Sequence, residues 1–284
     1  MSLHSSLLSF RCSRHLTRFI ANTLIVAGVF ALARVVPANA AEARQPAAFH
    51  DARKKLVMLV AESEYETART LPVFATQFLQ KDFRVVVVEG SMAPGATAFT
   101  GIDELADADV LLVSVRRRTP PTDQLEAIRR FVKSGKPVVG IRTACHAFKL
   151  MKGTPPEGDA EWPEWDAEVI GGNYHNHYHA GGITTVTAAK AGSALLNGVM
   201  VPFTSASTLY KVAPLRPGAE ALLMGTIPDQ ASEPLAWTFT RADGGRTFYT
   251  SLGGPVDFQN SSFTRLLRNG IYWAAGIEAR KPSP

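Results

Sequence analysis

Apolar residues in the first half of the chain form continuous runs, separated by segments in which they recur at helical spacing. A short continuous run is typical of a strand buried on both faces, and helical spacing indicates an amphipathic helix. Strands that alternate with helices predict a parallel sheet covered by helices on both faces. The predicted strands are 55–61, 84–89, 109–115 and 137–141, and the predicted helical segments are 67–80, 102–106 and 122–133.

The pattern changes after residue 150. Residues 153–182 are rich in Gly, Pro, Trp and His and predict a long loop, a feature that is usually functional or mobile. Short strand-like runs follow, and an amphipathic helix is predicted at 263–275. Because we find no linker and no internal repeat, we expect one α/β domain over 55–278. The strands predicted in this half are 182–187, 209–212, 221–225, 235–240 and 246–251.

The first 40 residues have the order of a secretory signal peptide. They contain a basic start, an apolar run at 19–33 and the small-residue motif Ala38-Asn39-Ala40. We therefore predict cleavage after Ala40, a loose lead-in at 41–54 and a periplasmic or secreted product. An uncleaved anchor is the alternative, but the run is shorter than the roughly 20 residues of a bilayer span. After processing we expect no stable membrane insertion.

The excess of positive charge lies in this leader. The formal net charge is +5, but residues 1–40 hold four arginines and no acid, which leaves 26 basic and 25 acidic residues from 41 onward. A nearly neutral domain offers no electrostatic attraction for nucleic acid. We expect a small molecule as the partner.

Ligands of open parallel sheets bind outside the carboxyl ends of the strands. Three polar segments follow such ends, at 62–65, 116–118 and 142–146. Glu64 and Tyr65 are candidates for orienting and contacting a ligand. The arginines at 116–118 could bind an anion, and a solvated turn is the alternative.

The segment 138–148 predicts a strand, a tight turn and a helix, the arrangement that presents a nucleophile in hydrolases and amidotransferases. Here Arg142 follows the strand, and an arginine cannot attack. Cys145 lies three residues further on beside His146, and neighbouring side chains diverge in helices and strands. We expect a structural Cys145, with Arg142 and His146 binding ligand or developing negative charge.

Three histidines alternate at His175, His177 and His179. In an extended segment they project to one side. Clustered imidazoles can hold zinc or another divalent metal, for which His175 and His177 are the candidates. They can equally transfer protons, or they can simply form hydrogen bonds in a polar loop.

Two tryptophans, Trp162 and Trp165, lie among acidic residues in the long loop. Flat apolar faces beside carboxylates are features of sugar sites. The alternative is that both rings pack the loop onto the core.

Taken together, these motifs resemble the ThuA-like (trehalose utilisation) family, a branch of the class I glutamine-amidotransferase-like fold. The similarity runs from about 55 to 276. The segments that carry it are EYET (64–67), GIRTACHAF (140–148), EWPEWDAEVIGGNYHNHY (161–178), PFTSASTLYKV (202–212), PLAWTF (234–239), GGRTFYTSLG (244–253) and FTRLLRNGIYWAAG (263–276).

The resemblance implies a flavodoxin-like three-layer sandwich with a mostly parallel central sheet, additional C-terminal strands and no amidotransferase nucleophile. It also implies a sugar or keto-sugar ligand, and it matches His146, His175 and His177 to recurrent histidines. Two positions depart from the family: Cys145 stands where serine is frequent, and Gly254 stands where histidine is usual.

Three hypotheses of function follow. The first is an exported hydrolase, lyase or isomerase that acts on a glycoside or keto-sugar. Its acid–base or metal-assisted chemistry would use His146, His175 and His177, with Glu64, Tyr65, Arg142, Trp162, Trp165 and His179 as ligand-binding residues. The second is a non-catalytic carbohydrate-binding protein. The third is a cysteine hydrolase or amidotransferase.

Overall fold

The computed structural model describes residues 51–178, 182–190 and 192–277. The predicted leader and His179 lie outside the described residues, and the predicted domain boundaries stay predictions. The α-helices are α1 (Thr67–Phe78), α2 (Thr122–Lys133) and α3 (Ser261–Ala274). The strands are β1 (Lys54–Ala61), β2 (Phe83–Glu89), β3 (Val110–Val115), β4 (Val138–Ile141), β5 (Asn176–His177), β6 (Thr184–Ala188), β7 (Phe203–Ser205), β8 (Tyr210–Lys211), β9 (Ala219–Thr226), β10 (Glu233–Thr240) and β11 (Arg246–Thr250).

The central sheet has the order β2-β1-β3-β4-β11-β10-β9-β6-β7. The first five of these strands are mutually parallel, and the remaining strands join antiparallel. A separate pair, β5 and β8, lies outside this sheet. The prediction of a mostly parallel sheet with additional C-terminal strands is confirmed.

Side-chain alternation along the parallel strands produces two cores. In β1, Leu56 and Met58 face one layer, where they pack with α1 and α3. Val57 and Leu59 face the other layer, which contains α2 and the aromatic part of the long loop. This is the predicted three-layer arrangement, because a strand buried on both faces needs a cover on each side.

The long loop contains more regular structure than its composition indicates. A π-helical turn covers Asp166–Ile170, and β5 follows it. The three-residue strand β7 at the sheet edge is also absent from the predictions, because so short a run carries no detectable alternation. In the described part of the chain, no helix is long and apolar enough to cross a bilayer.

Candidate functional site

The turn after β4 has the geometry of an elbow. Arg142 directly follows the strand with φ of 53°, in the left-handed region that non-glycine residues seldom occupy. A 3₁₀ turn over Arg142–His146 then carries Cys145 and His146 away from the sheet. The hydroxyl of Tyr249, on β11, donates a 2.6 Å hydrogen bond to the carbonyl of Arg142 and so supports this conformation. The elbow therefore presents an arginine in place of a nucleophile.

A cavity of ≈ 330 Å³ opens beside this turn, at the carboxyl end of the parallel sheet. Its size falls in the range of small-molecule sites. The long loop closes it from the opposite side, and basic side chains of Arg117 and Lys149 contribute to its lining. The chemically informative lining residues are Cys145, His146, Trp162, Asp166, Tyr174 and His175.

His146 is the most enclosed histidine of the site, with 8% of its surface exposed. Its ring lies 4.4 Å from the ring of Tyr174 and 6.0 Å from that of Tyr210, measured between centroids. Burial, and then the positive charge of neighbouring arginines, lowers the pKa of His146 from 6.5 to about 3. The imidazole is therefore neutral at physiological pH.

Cys145 contacts His146 directly, with 3.2 Å between Sγ and Nδ1. The expectation that these neighbouring side chains diverge is wrong, because the tight 3₁₀ turn does not separate them as a strand would. Burial, reinforced by the negative charge of Asp166, raises the pKa of the Cys145 thiol well above its usual range. A protonated thiol is a poor nucleophile.

Asp166 is a cavity residue that the sequence analysis does not single out. Its Oδ2 accepts a 2.6 Å hydrogen bond from the N–H of Tyr174, while its buried Oδ1 has no partner within the described residues. A Cβ at Gly172 would lie 2.6 Å from Oδ1, so glycine is required for this close approach. Burial raises the pKa of Asp166 to about 7. The sequence signal for it is its place among the acidic residues around Trp162 and Trp165.

The two tryptophans both anchor the loop and contribute to the cavity wall. Trp165 is 1% exposed and donates from Nε1 to the carbonyl of Ala144 at 2.7 Å. It packs edge-on against Phe148 and Trp162, at centroid distances of 4.8 and 5.3 Å. These contacts show that both tryptophans pack the loop onto the core, and with Trp162 7% and Trp165 1% exposed, little of either ring is left to contact a ligand.

Of the alternating histidines, His177 lies on a short strand, His175 directly precedes that strand, and His179 lies outside the described residues. Asn176 and His177 form β5, which pairs with Tyr210 and Lys211 of β8. His175 is exposed and lines the cavity, whereas His177 lies outside the lining with its ring 6.5 Å from that of Tyr210.

Metal binding needs more ligands than these two histidines provide. No group of three His, Cys, Asp or Glu side chains suited to a metal occurs among the described residues. His179 lies outside them.

Glu64, Tyr65 and Arg142 lie beside the cavity and do not line it. Glu64 forms an ion pair with Arg116 at 2.8 Å on the surface. Tyr65 is half-buried and covers the guanidinium of Arg142, whose side chain is fully enclosed.

Gly254 occupies a crowded position next to the same strand ends. Its N–H donates to Oδ2 of Asp257 at 3.0 Å and to Oγ of Ser207 at 3.2 Å. A Cβ at this position would lie 2.6 Å from Oγ of Ser207. The local packing therefore excludes a side chain such as histidine unless Ser207 moves.

A second cavity of ≈ 400 Å³ lies against α3, lined in part by Arg246, Asn269 and Trp273. Its described lining contains no acid, histidine or cysteine. We therefore place the candidate site at the elbow.

The sheet order, the elbow and the cavity define an α/β sandwich of the flavodoxin-like type with an arginine at the elbow. The family model for ThuA, described as trehalose utilisation, matches residues 55–274, and the chain belongs to this family. Membership confirms the resemblance and indicates a sugar-related role.

Two solved structures are similar to this chain. A ThuA-like protein from Bacteroides uniformis is 16% identical, covers 81% of this chain and 95% of its own, and has a TM-score of 0.57. A ThuA-like protein from Parabacteroides merdae is 15% identical, covers 81% and 92% respectively, and has a TM-score of 0.56. These likenesses show the fold. No curated protein sequence matches the chain.

Proposed function

We propose that this protein is an exported sugar-processing enzyme that acts on a glycoside or keto-sugar in the cavity beside the elbow. The observation that carries the proposal is the convergence of His146, Asp166 and His175 on one cavity of ≈ 330 Å³ with aromatic walls. Aromatic faces bind the apolar side of a sugar ring, and titratable groups around it can move protons.

The two enclosed titratable side chains, His146 and Asp166, suit different chemical roles. Because the pKa of His146 is lowered to about 3, its neutral ring can donate a hydrogen bond that polarises a substrate carbonyl. Because the pKa of Asp166 is raised to about 7, its carboxyl is available both as an acid and as a base near neutral pH. His175 lines the same cavity and is exposed to solvent.

Metal assistance by His175 and His177 remains an alternative form of this chemistry. The described residues offer no third ligand, so we route no step through a metal. Metal analysis of the purified protein tests the alternative directly.

A non-catalytic carbohydrate-binding protein is the second candidate. The elbow arginine and the high pKa of the buried Cys145 thiol favour it, because both remove the usual nucleophile. The same observations leave the cysteine hydrolase as the weakest hypothesis.

The test combines turnover and binding. A panel of glycosides and keto-sugars is incubated with the protein, products are followed by NMR, and affinities are measured by calorimetry. We expect turnover that falls at least 100-fold in His146→Gln, while the surface variant Arg69→Gln stays at the wild-type rate. Binding without turnover would support the binding protein instead, and neither binding nor turnover would contradict both candidates.

Export is a separate part of the proposal, supported by the leader sequence. Mass spectrometry of the periplasmic fraction should find Ala41 at the N-terminus. An intact leader on a membrane-bound product would contradict it.

A further inference from the structure

The guanidinium of Arg142 is fully buried between two aromatic rings. Its Cζ lies 4.3 Å from the ring centroid of Tyr65 and 4.5 Å from that of Tyr210. Nη1 donates to the carbonyls of Thr208, at 3.0 Å, and Ser251. These contacts fix the plane of the guanidinium and occupy one of its edges.

The opposite edge is free of protein acceptors. Within the part of the chain that the structure describes, the buried Nε and Nη2 atoms have no hydrogen-bond partner. These two nitrogens share one edge of the planar group and form a two-donor fork, which matches the two oxygens of a carboxylate. A buried donor without a partner destabilises the fold, so an open fork indicates a missing acceptor.

The described acidic side chains near Arg142 already pair with other groups. Asp257 attracts Arg142 through space. Its carboxylate nevertheless accepts hydrogen bonds from two serine hydroxyls, at Ser205 and Ser207, and from the N–H groups of Gly253 and Gly254.

The acids beside Tyr65 are also engaged. Glu62 accepts from the N–H groups of Tyr65 and Thr67, and Glu64 pairs with Arg116. The charge of Arg142 therefore has no counter-ion in contact among the described residues.

The fork lies next to the candidate cavity. Arg142 begins the 3₁₀ turn whose later residues, Cys145 and His146, line that cavity. Tyr210 contacts both the guanidinium and the ring of His146. The positive charge of Arg142 is one cause of the lowered pKa of His146, which is a second sign of their proximity. The ring of Tyr65 covers one face of the guanidinium. Tyr65 is half-buried on a surface loop, and its hydroxyl lies 3.4 Å from the hydroxyl of Tyr210.

We propose that the Nε–Nη2 edge of Arg142 binds the carboxylate of an acidic sugar of the uronate class, whose ring lies in the ≈ 330 Å³ cavity. Tyr65 stacks on the face of the guanidinium and holds its donor edge in place for the carboxylate. This inference rests on the proposed function, since it specifies the substrate class of the same site. It assigns to the elbow arginine the role of an anion anchor in place of a nucleophile.

The test compares matched sugars at constant ionic strength by calorimetry. The probes are D-glucose with D-glucuronate, D-galactose with D-galacturonate, and D-glucose 6-phosphate. We expect an acidic sugar to bind at least tenfold more tightly than its neutral parent and than the phosphate ester. Arg142→Gln should abolish this preference.

The matched control is Arg241→Gln. Arg241 is equally enclosed, but it contacts the carbonyls of Val132 and Lys136 before β4, at the opposite end of the strands. This variant should keep the preference. If Arg142→Gln does not fold, Tyr65→Ala replaces it. Because that change exposes the guanidinium to water, the preference for the acidic sugar should fall at least threefold.

The outcomes separate the two proposals. Equal affinity for acidic and neutral sugars would overturn the carboxylate assignment and leave the proposed function intact. A preference for the phosphate ester would overturn it as well, as would a preference that survives in the Arg142 or Tyr65 variant. Binding of none of the sugars would overturn both proposals.

Discussion

The Oδ2 atom of Asp166 accepts a 2.6 Å hydrogen bond from the backbone N–H of Tyr174, and the ring of Tyr174 in turn packs against His146. The carboxyl therefore positions the wall of the cavity that faces the imidazole. The other oxygen, Oδ1, is buried without a partner in the described structure, next to the Cα of Gly172. An ionised carboxylate is poorly stabilised there, which explains why burial raises the pKa of Asp166 to about 7.

We predict that Asp166→Asn stabilises the protein more at pH 8 than at pH 5. Between 3.8 and about 7, the native Asp166 retains a proton that the unfolded chain has released. Wild-type stability therefore falls as pH rises through this window, by up to about 1.4 kcal/mol per pH unit, whereas asparagine does not titrate. Thermal unfolding of both proteins at pH 5, 6.5 and 8 measures the difference. The lowered pKa of His146 acts in the opposite direction, but it is present in both proteins. A difference in Tm that does not change with pH would refute the prediction.

We predict that Cys145 reacts with iodoacetamide at least 100-fold more slowly in the native protein than in the unfolded protein. The thiol is 2% exposed, and burial raises its pKa, so both access and the thiolate fraction are low. Peptide mapping by mass spectrometry separates this residue from Cys12. Cys145→Ser should keep turnover within threefold of the wild type. Rapid native alkylation with loss of activity would return the nucleophile hypothesis to consideration.

The strands are predictable because a continuous apolar run must be buried on both faces, as it is in β1 and β3. The helices are predictable because their apolar residues recur at helical spacing. The site is less predictable because its contacts join distant residues. Tyr65 meets Tyr210 across 145 positions, and Tyr174 meets Tyr210 at a centroid distance of 4.9 Å. No local pattern encodes such a cluster. The sequence predicts the tight turn at Arg142. It does not predict that Nε and Nη2 lack an acceptor, because that depends on the orientation of every surrounding acceptor.

We predict that His175→Ala weakens sugar binding at least tenfold, whereas His177→Ala changes it less than threefold. His175 lines the cavity, and His177 lies on β5 outside the lining. Both residues are exposed, and Nδ1 of each lies within hydrogen-bond distance of a backbone carbonyl, at Asn173 for His175 and at Tyr178 for His177. His177 also makes a loose ring contact with Tyr210. Neither variant should therefore lower Tm by more than about 2 °C, since exposed substitutions stay within about 0.5 kcal/mol. Calorimetry and thermal unfolding supply both readouts.

A larger loss of sugar binding in His177→Ala than in His175→Ala would assign ligand binding to His177, on β5. Equal losses in both variants, accompanied by bound metal in the wild type and lower metal content in each variant, would favour shared metal binding over separate roles.

The crowding around Gly254 leads to a prediction about stability. Because a Cβ there would lie 2.6 Å from Oγ of Ser207, which also donates to Asp257, Gly254→Ala should destabilise the fold by about 1–3 kcal/mol. In Ser207→Ala the hydroxyl is gone, and the remaining Cβ lies 3.9 Å from the added methyl group. The double variant should therefore be more stable than the sum of the single changes, by about 1 kcal/mol.

Urea unfolding of the four proteins in this cycle measures the coupling between the two positions. Gly182→Ala is the control, because the nearest atom to its new Cβ lies 3.8 Å away and its φ is outside the left-handed region, so its stability should change by less than about 0.5 kcal/mol. Additive effects of the two substitutions would mean that the backbone around Gly254, and not the Ser207 hydroxyl, excludes a side chain. Relief of this clash is also the condition for placing a histidine at this position. If the coupling is found, Gly254→His combined with Ser207→Ala should fold, whereas Gly254→His alone should lose at least as much stability as Gly254→Ala.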